Sequence, residues 1–154
     1  MREYPDLIHW FSWNTRVSIE LPIEFEEDSD DAQTATAVYA DHQRGDPGAR
    51  MTVRAIGLPA GSPPDAYRTL AREVSTLDGN RAVSTQEGEL DGWPAIRQVL
   101  HATVDDQLIV RHETYAQADD AVFALIGIAP DDLQEHYLPA FERASATARL
   151  VQIP

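Results

Sequence analysis

The sequence predicts an α+β fold: an antiparallel β-sheet flanked by helices, arranged as an α/β/α sandwich. Three observations carry this expectation. Apolar residues alternate with period two along much of the chain, most strictly in Val17-Ser-Ile-Glu-Leu-Pro-Ile-Glu-Phe25. The linkers between strand-like runs are short and polar, which suits antiparallel neighbours. Two stretches, 62–77 and 131–144, instead show the three-and-four spacing of amphipathic helices. A length of 154 residues predicts a single domain spanning 1–154, and 43% hydrophobic with 25% charged residues predicts a folded chain.

Taken in order, residues 1–15 read as an N-terminal aromatic extension. Trp10, Phe11 and Trp13 lie close together there, and the expectation is that their rings cover the end of the sheet. The alternative is that they anchor a partner, since Trp and Tyr dominate binding hot spots. In Val17–Phe25 the odd positions Val17, Ile19, Leu21, Ile23 and Phe25 face one way, and Pro22 marks an edge or a bend. Glu26–Asp31 and His42–Gly48 have the composition of loops. Thr34–Asp41 and Ala49–Leu58 form a hairpin across Arg44–Gly48.

The first helix begins with Ser62 as N-cap and Pro63 and Pro64 in its first turn. Tyr67, Leu70, Ala71, Val74 and Leu77 form its apolar face, and Gly79 supplies a left-handed end. Strands follow at Ala82–Leu90, Trp93–Val104, Leu108–Gln117 and Val122–Ile128. Pairing Val104 with Leu108 puts Ile96, Leu100, Ala102 and Val110 on a core face, with Arg97, His101, Arg111, Glu113 and Tyr115 opposite. The last of these strands is apolar on both faces and is therefore expected to be central. Asp131 or Asp132 caps a final helix that buries Leu133, Tyr137, Ala140, Phe141 and Ala144. Pro139 lacks a backbone donor and should kink or split it. Leu150–Ile153 is expected to return as a short strand.

The charge balance is 26 acidic residues against 12 basic ones, a net −14. Phosphate backbones need clustered positive charge, so nucleic acid is not an expected partner. A neutral or basic partner surface is favoured. All 12 basic residues are Arg, which fits either a coding bias or an acidic surface adapted to high salt. Cysteine is absent, which removes disulfides, thiol catalysis, thiolate zinc sites and iron–sulfur clusters. No run approaches the ~18 apolar residues of a transmembrane segment. Met1–Asp6 lacks the pattern of a secretory signal, and a cytoplasmic location is expected if Met1 is the native start.

No catalytic constellation emerges. His112-Glu113 opens a zincin-like pattern, but position 116 is Ala, and adjacent strand residues point to opposite faces. In the register above, His101 and His112 also lie on opposite faces. Asp105-Asp106, Asp119-Asp120 and Asp131-Asp132 sit at turns or a helix start, where Asp bonds its own backbone. Asp28-Ser-Asp30-Asp31 lacks the glycine and the closing Glu of a calcium loop. The nucleophile elbow, the P-loop and the dinucleotide fingerprint are missing. No catalytic residue, metal ligand set or cofactor is expected. The candidate binding residues are Arg97, His101, Arg111, Glu113 and Tyr115 on the sheet face, with Trp10 and Trp13.

In their order, the elements resemble those of the Mog1/PsbP-like superfamily, which includes the DcrB-type bacterial proteins. The resemblance covers roughly residues 16 to 152. It rests on the amphipathic strand through Pro22, the helix after a Pro-containing loop, and Glu89-Leu-Asp-Gly-Trp-Pro-Ala95 followed by two long strands. Leu138-Pro-Ala-Phe-Glu-Arg-Ala144 matches the closing helix. A Gly-Trp soon after the first-strand Pro, frequent in the family, is replaced here by Glu24-Phe25. The resemblance implies an α/β/α sandwich without catalysis, acting as a binding or accessory protein; family members include a Ran GTPase partner, an extrinsic photosystem subunit, bacterial lipoproteins and chaperones for secretion-system effectors. The expected function is therefore a non-enzymatic domain recognising a protein partner, chaperone- or adaptor-like. The alternative is a small-molecule or metal-ion binding protein that uses the sheet face or the Asp-rich loops. Oligomeric state is not legible in the sequence.

Overall fold

The computed structural model describes residues 7–42 and 48–151. Its strands are β1 (Leu7–Ser12), β2 (Val17–Pro22), β3 (Glu26–Asp31), β4 (Thr36–Asp41), β5 (Ala49–Gly57), β6 (Asn80–Leu90), β7 (Trp93–Val104), β8 (Gln107–Ala118), β9 (Ala121–Pro130) and β10 (Arg149–Leu150). Helix α1 spans Ala66–Ser75; a 3-10 turn at Asp131–Leu133 leads into α2 (Gln134–Thr147). Seven strands form one antiparallel sheet in the order β3-β4-β5-β9-β8-β7-β6, and β1-β2-β10 form a second, smaller one. Among the described residues, no helix is long and apolar enough to cross a membrane.

The large sheet separates two cores. On one face α1 sets Tyr67 and Ala71 against Ile96, Tyr115, Val122 and Ala124. On the other, α2 and the small sheet bury Ile19, Leu21, Tyr137, Phe141 and Leu150 against Met51, Val53, Phe123 and Leu125. Helices thus cover opposite faces of an antiparallel sheet, which is the α/β/α sandwich. As expected, β9 is interior, between β5 and β8, and β4 pairs with β5. The connection at 43–47 lies outside the described residues, as do Met1–Asp6 and the end of the expected strand Leu150–Ile153.

Several elements differ from expectation for identifiable reasons. The aromatic extension is largely a strand: β1 pairs with β2, Trp10 opposite Ile19, and alternation half-buries Ile8 and Trp10 while exposing His9 and Phe11. The strand expected to run through Phe25 stops at Pro22, whose carbonyl accepts from Phe25 N–H (3.0 Å) in a turn. Ile23 is thereby turned out to solvent while Phe25 is buried. Glu26–Asp31 is not a loop but the edge strand β3, bulged between Glu27 and Ser29. An edge position needs a partner on one side only, and its carboxylates discourage a second one. Helix α1 starts later than Ser62, because the Ser62 hydroxyl donates to Pro59 O (2.7 Å) rather than capping the helix. It ends at Ser75, so Leu77 falls beyond it and is exposed. Helix α2 runs unbroken through Pro139; Tyr137 on one side and Ala140, Phe141 and Ala144 on the other anchor it to the same core.

Candidate functional site

The β7–β8 turn decides which residues meet. Val104 pairs with Gln107 and Thr103 with Leu108, a two-residue loop in which Asp105 and Asp106 both adopt positive φ (51° and 64°). Two left-handed residues are what the twist of a tight hairpin demands, and Asp tolerates them better than most side chains. The expected Val104–Leu108 pairing is therefore off by one residue, and a one-residue slip reverses every side chain of one strand relative to the other. Arg97 and His101 share the α2 side of the sheet, whereas Arg111, Glu113 and Tyr115 share the α1 side. The single polar face expected to hold all five does not exist. Conversely, His101 and His112, expected on opposite faces, share one.

On the α1 side, Glu113 is fully buried and its oxygens are occupied. Arg111 Nε donates to Oε2 (2.6 Å), while Gln98 Nε2 (2.7 Å) and Tyr115 OH (2.9 Å) donate to Oε1. Gln98 also donates to the Ala71 carbonyl of α1 (3.0 Å). Burial pushes the Tyr115 phenol well above its ordinary value, and the Glu113 charge adds to the effect. A saturated carboxylate beneath a helix is a structural pin: it fastens α1 to the sheet and has no free oxygen for a ligand.

The α2 side is different. Helix α2 rests over β9, where Phe141 lies so close to Gly127 that a Cβ there would meet its ring at 2.5 Å. Beyond the helix, β8, β7 and β6 are left open as the floor of a cavity of about 250 Å³. Two cross-strand rows make this floor, Gln86–Arg97–Thr114 and Ser84–Val99–His112, and Gln98 and Glu113 of the same strands also border it. Leu138, Phe141, Glu142 and Ser145 of α2 form the wall. At one end the cavity opens into a polar depression of about 400 Å³ beside Asp91, Gly92 and Arg149, with Arg97 and Ser145 lining both.

Two buried polar atoms in this floor have no protein partner among the described residues, Arg97 Nε and His112 Nε2. The stem of Arg97 lies along Gly88 of β6, whose missing side chain makes room for it; a Cβ there would sit 3.3 Å from Nε. Burial holds His112 below its ordinary value of 6.5, and the nearby His101 lowers it further. His112 is therefore a neutral imidazole at pH 7, with its ring beside Phe141 at 5.9 Å between centroids. His101 Nδ1 lies 3.3 Å from an Arg81 guanidinium nitrogen.

The aromatic candidates lie apart from this groove. Trp10 packs against Tyr39 (5.3 Å) between the two sheets, and its Nε1 is buried without an acceptor among the described residues. Trp13 sits on the β1–β2 turn, 74% exposed and edge-on to Phe11. Sequence reasoning missed Ser84, Gln86, Thr114, Phe141 and Glu142 as groove residues and set His112 aside. The signal that points to them is Asp105-Asp106, two residues suited to a tight left-handed turn. Among the described residues, no three His, Asp or Glu side chains converge to hold a metal ion.

This fold is Mog1/PsbP-like. No protein-family model and no curated protein matches the sequence; the likeness is to solved structures. One is cyanobacterial PsbP (CyanoP) from Synechocystis, at 11% identity and a TM-score of 0.66, over 94% of this chain and 92% of that one. A second is LpqN of Mycobacterium tuberculosis, involved in cell envelope biogenesis, at 14% identity and a TM-score of 0.68, over 96% and 91%. The protein PA94 of Pseudomonas aeruginosa shares 15% identity with a TM-score of 0.61, over 96% and 98%. Identities this low establish the shared fold and nothing finer.

Proposed function

We propose that this chain is a non-catalytic accessory domain that recognises a protein partner through the groove between α2 and the open ends of β6–β8. One observation carries the reading: Arg97 Nε and His112 Nε2 are buried in the groove floor with no hydrogen-bond partner among the described residues. A buried polar group without a partner costs about 1–3 kcal/mol, a penalty that a bound molecule with a complementary group removes. Val99, Leu138 and Phe141 supply apolar contact around them, as a binding site needs. His112 Nε2 holds no hydroxyl, so the nucleophile–base pair of hydrolytic catalysis is not set up at this histidine. None of the three similar structures is described as an enzyme. The metal-ion version of the alternative draws no support from the described acidic residues.

The test is affinity capture from native lysate with the full chain, followed by hydrogen exchange on the recovered complex. A stoichiometric partner that protects 84–86, 97–99 and 112–114, and that Arg97→Ala fails to retain, is the expected result. Protection elsewhere, or a partner indifferent to Arg97→Ala, overturns the reading.

A further inference from the structure

The large sheet ends on two unlike edges. Strand β3 closes one with Glu26, Glu27, Asp28, Asp30 and Asp31, and a bulge interrupts it between Glu27 and Ser29. Dense charge and irregularity of this kind keep an edge from pairing with another chain. Strand β6 closes the other edge over eleven residues, and among the described residues no strand lies beyond it. Its residues Arg81–Glu87 are all exposed. The stretch Ala82–Gln86 carries no charge, and Val83 within it is 52% exposed. Strand β6 is bulged as well, between Ala82 and Ser84, but Ser84–Leu90 keeps a regular register with β7.

The β6–β7 turn fixes which backbone groups of this edge are free. Leu90 pairs with Trp93 across Asp91-Gly92, both left-handed (φ 49° and 78°). Residues that flank such a two-residue turn bond each other, and bonded and unbonded positions then alternate along the strand. Counting back by twos, Gly88, Gln86 and Ser84 bond β7, whereas Glu89, Glu87 and Thr85 aim N–H and C=O away from the sheet. Glu87 is already neutralised by Arg68 of α1. Arg81, at the far end of the strand, contacts His101 and has no carboxylate partner among the described residues.

We propose that the free edge of β6 pairs with the same strand of a second copy of this chain, antiparallel and centred on Gln86, so that two seven-stranded sheets become one. This centre sets Thr85 of each copy opposite Glu87 of the other, with outward backbone groups on both sides. Two such pairs exchange about four main-chain hydrogen bonds. Moving the centre one residue toward the turn would set Glu87 against its own copy, where like charges repel. Antiparallel pairing also reverses the charge order of the strand. Arg81, the only cation of β6, comes beside Glu89 of the other copy at both ends of the contact. A chain of net charge −14 repels its copies over most of its surface, so a self-complementary edge decides where they meet. Gln86 also lines the groove, and an axis through it places two grooves side by side on one face. The inference goes beyond the proposed function and does not depend on it, because it concerns the purified chain alone.

The test is sedimentation velocity of the purified full chain over a hundredfold range of concentration. The expected result is a reversible shift from one chain mass to two. Thr85→Pro should stay folded, since Pro is accepted where an edge N–H faces solvent, and should weaken association at least tenfold. Arg81→Glu and Glu89→Arg should each weaken it at least threefold. Mixing these two variants should restore association to the native strength, because opposite charges then meet at both ends. Amide exchange followed by NMR should slow at Thr85, Glu87 and Glu89 as concentration rises, with Ser84, Gln86 and Gly88 protected throughout. Thermal melts establish that each variant is folded, and the charge variants and amide exchange decide the matter if Thr85→Pro is not. A chain that stays monomeric throughout the range, a dimer indifferent to Thr85→Pro, a mixture no stronger than its single variants, or exchange at the three outward amides that ignores concentration overturns the proposal.

Discussion

Gly127 is the residue on which the seating of α2 against the sheet depends. It lets Phe141 touch the sheet, and Gly127→Ala would place a methyl group within 2.5 Å of the ring. Overpacking of this kind costs about 2 kcal/mol. Urea denaturation should register that loss, and Phe141→Leu in the same chain should restore more than half of it. His112, opposite Gly127 on β8, makes stability depend on pH. Its native pKa lies below 6.5, so just under 6.5 the unfolded chain binds a proton that the native chain does not. Stability should fall as pH drops below 6.5, stop falling once the native value is passed, and be insensitive to this group above neutrality. The ring lies beside Phe141 of α2, and His101 of β7 is the charged neighbour that lowers its pKa further. Comparing urea midpoints at pH 7.5 and 5.5 for the native chain and His112→Leu isolates the contribution, which the variant should lack.

At the scale of elements, the turns carry more information than the strands they join. Period-two alternation locates β7 and β8 almost to the residue, because each has a face to bury. It says nothing about how two such strands are offset. That offset is set by Asp105-Asp106, Asp91-Gly92 and Asp119-Asp120, where short loops force left-handed backbone. Reading Gln107 as part of the first of these loops shifts the pairing by one and puts Arg111, Glu113 and Tyr115, in place of His112 and Thr114, on the face that holds Arg97 and His101. At Asp106, Gly would suit the φ of 64° better. Asp106→Gly should therefore raise the thermal midpoint by about 2–4 °C, close to 1 kcal/mol, without changing the register. A midpoint that falls would mean that the Asp side chain contributes more than its backbone strain costs. The strand β3 was illegible for another reason: six consecutive polar residues carry no alternation to detect, and only the sheet edge beside β4 makes them extended.

For the molecule as a whole, the layered architecture was legible because it depends on the order and type of elements, and both survive errors at individual boundaries. The groove was not, since its floor exists only once three strands are in register. The small sheet was also out of reach, because β2 and β10 meet from distant parts of the chain. Glu20 N–H donates to the Thr147 hydroxyl across 127 positions, and Arg143 reaches the Glu20 carboxylate across 123. These contacts bear on synthesis. A ribosome adds about 5–20 residues per second, so Val17, Ile19 and Leu21 leave it on the order of ten seconds before α2 can cover them. During that interval the β1–β2 hairpin is an apolar surface with no sheet to rest on. Sandwiches closed by such distant pairings fold in milliseconds to seconds once complete. Lifetime on the ribosome, more than folding speed afterwards, then determines how long this chain is open to aggregation or to a chaperone.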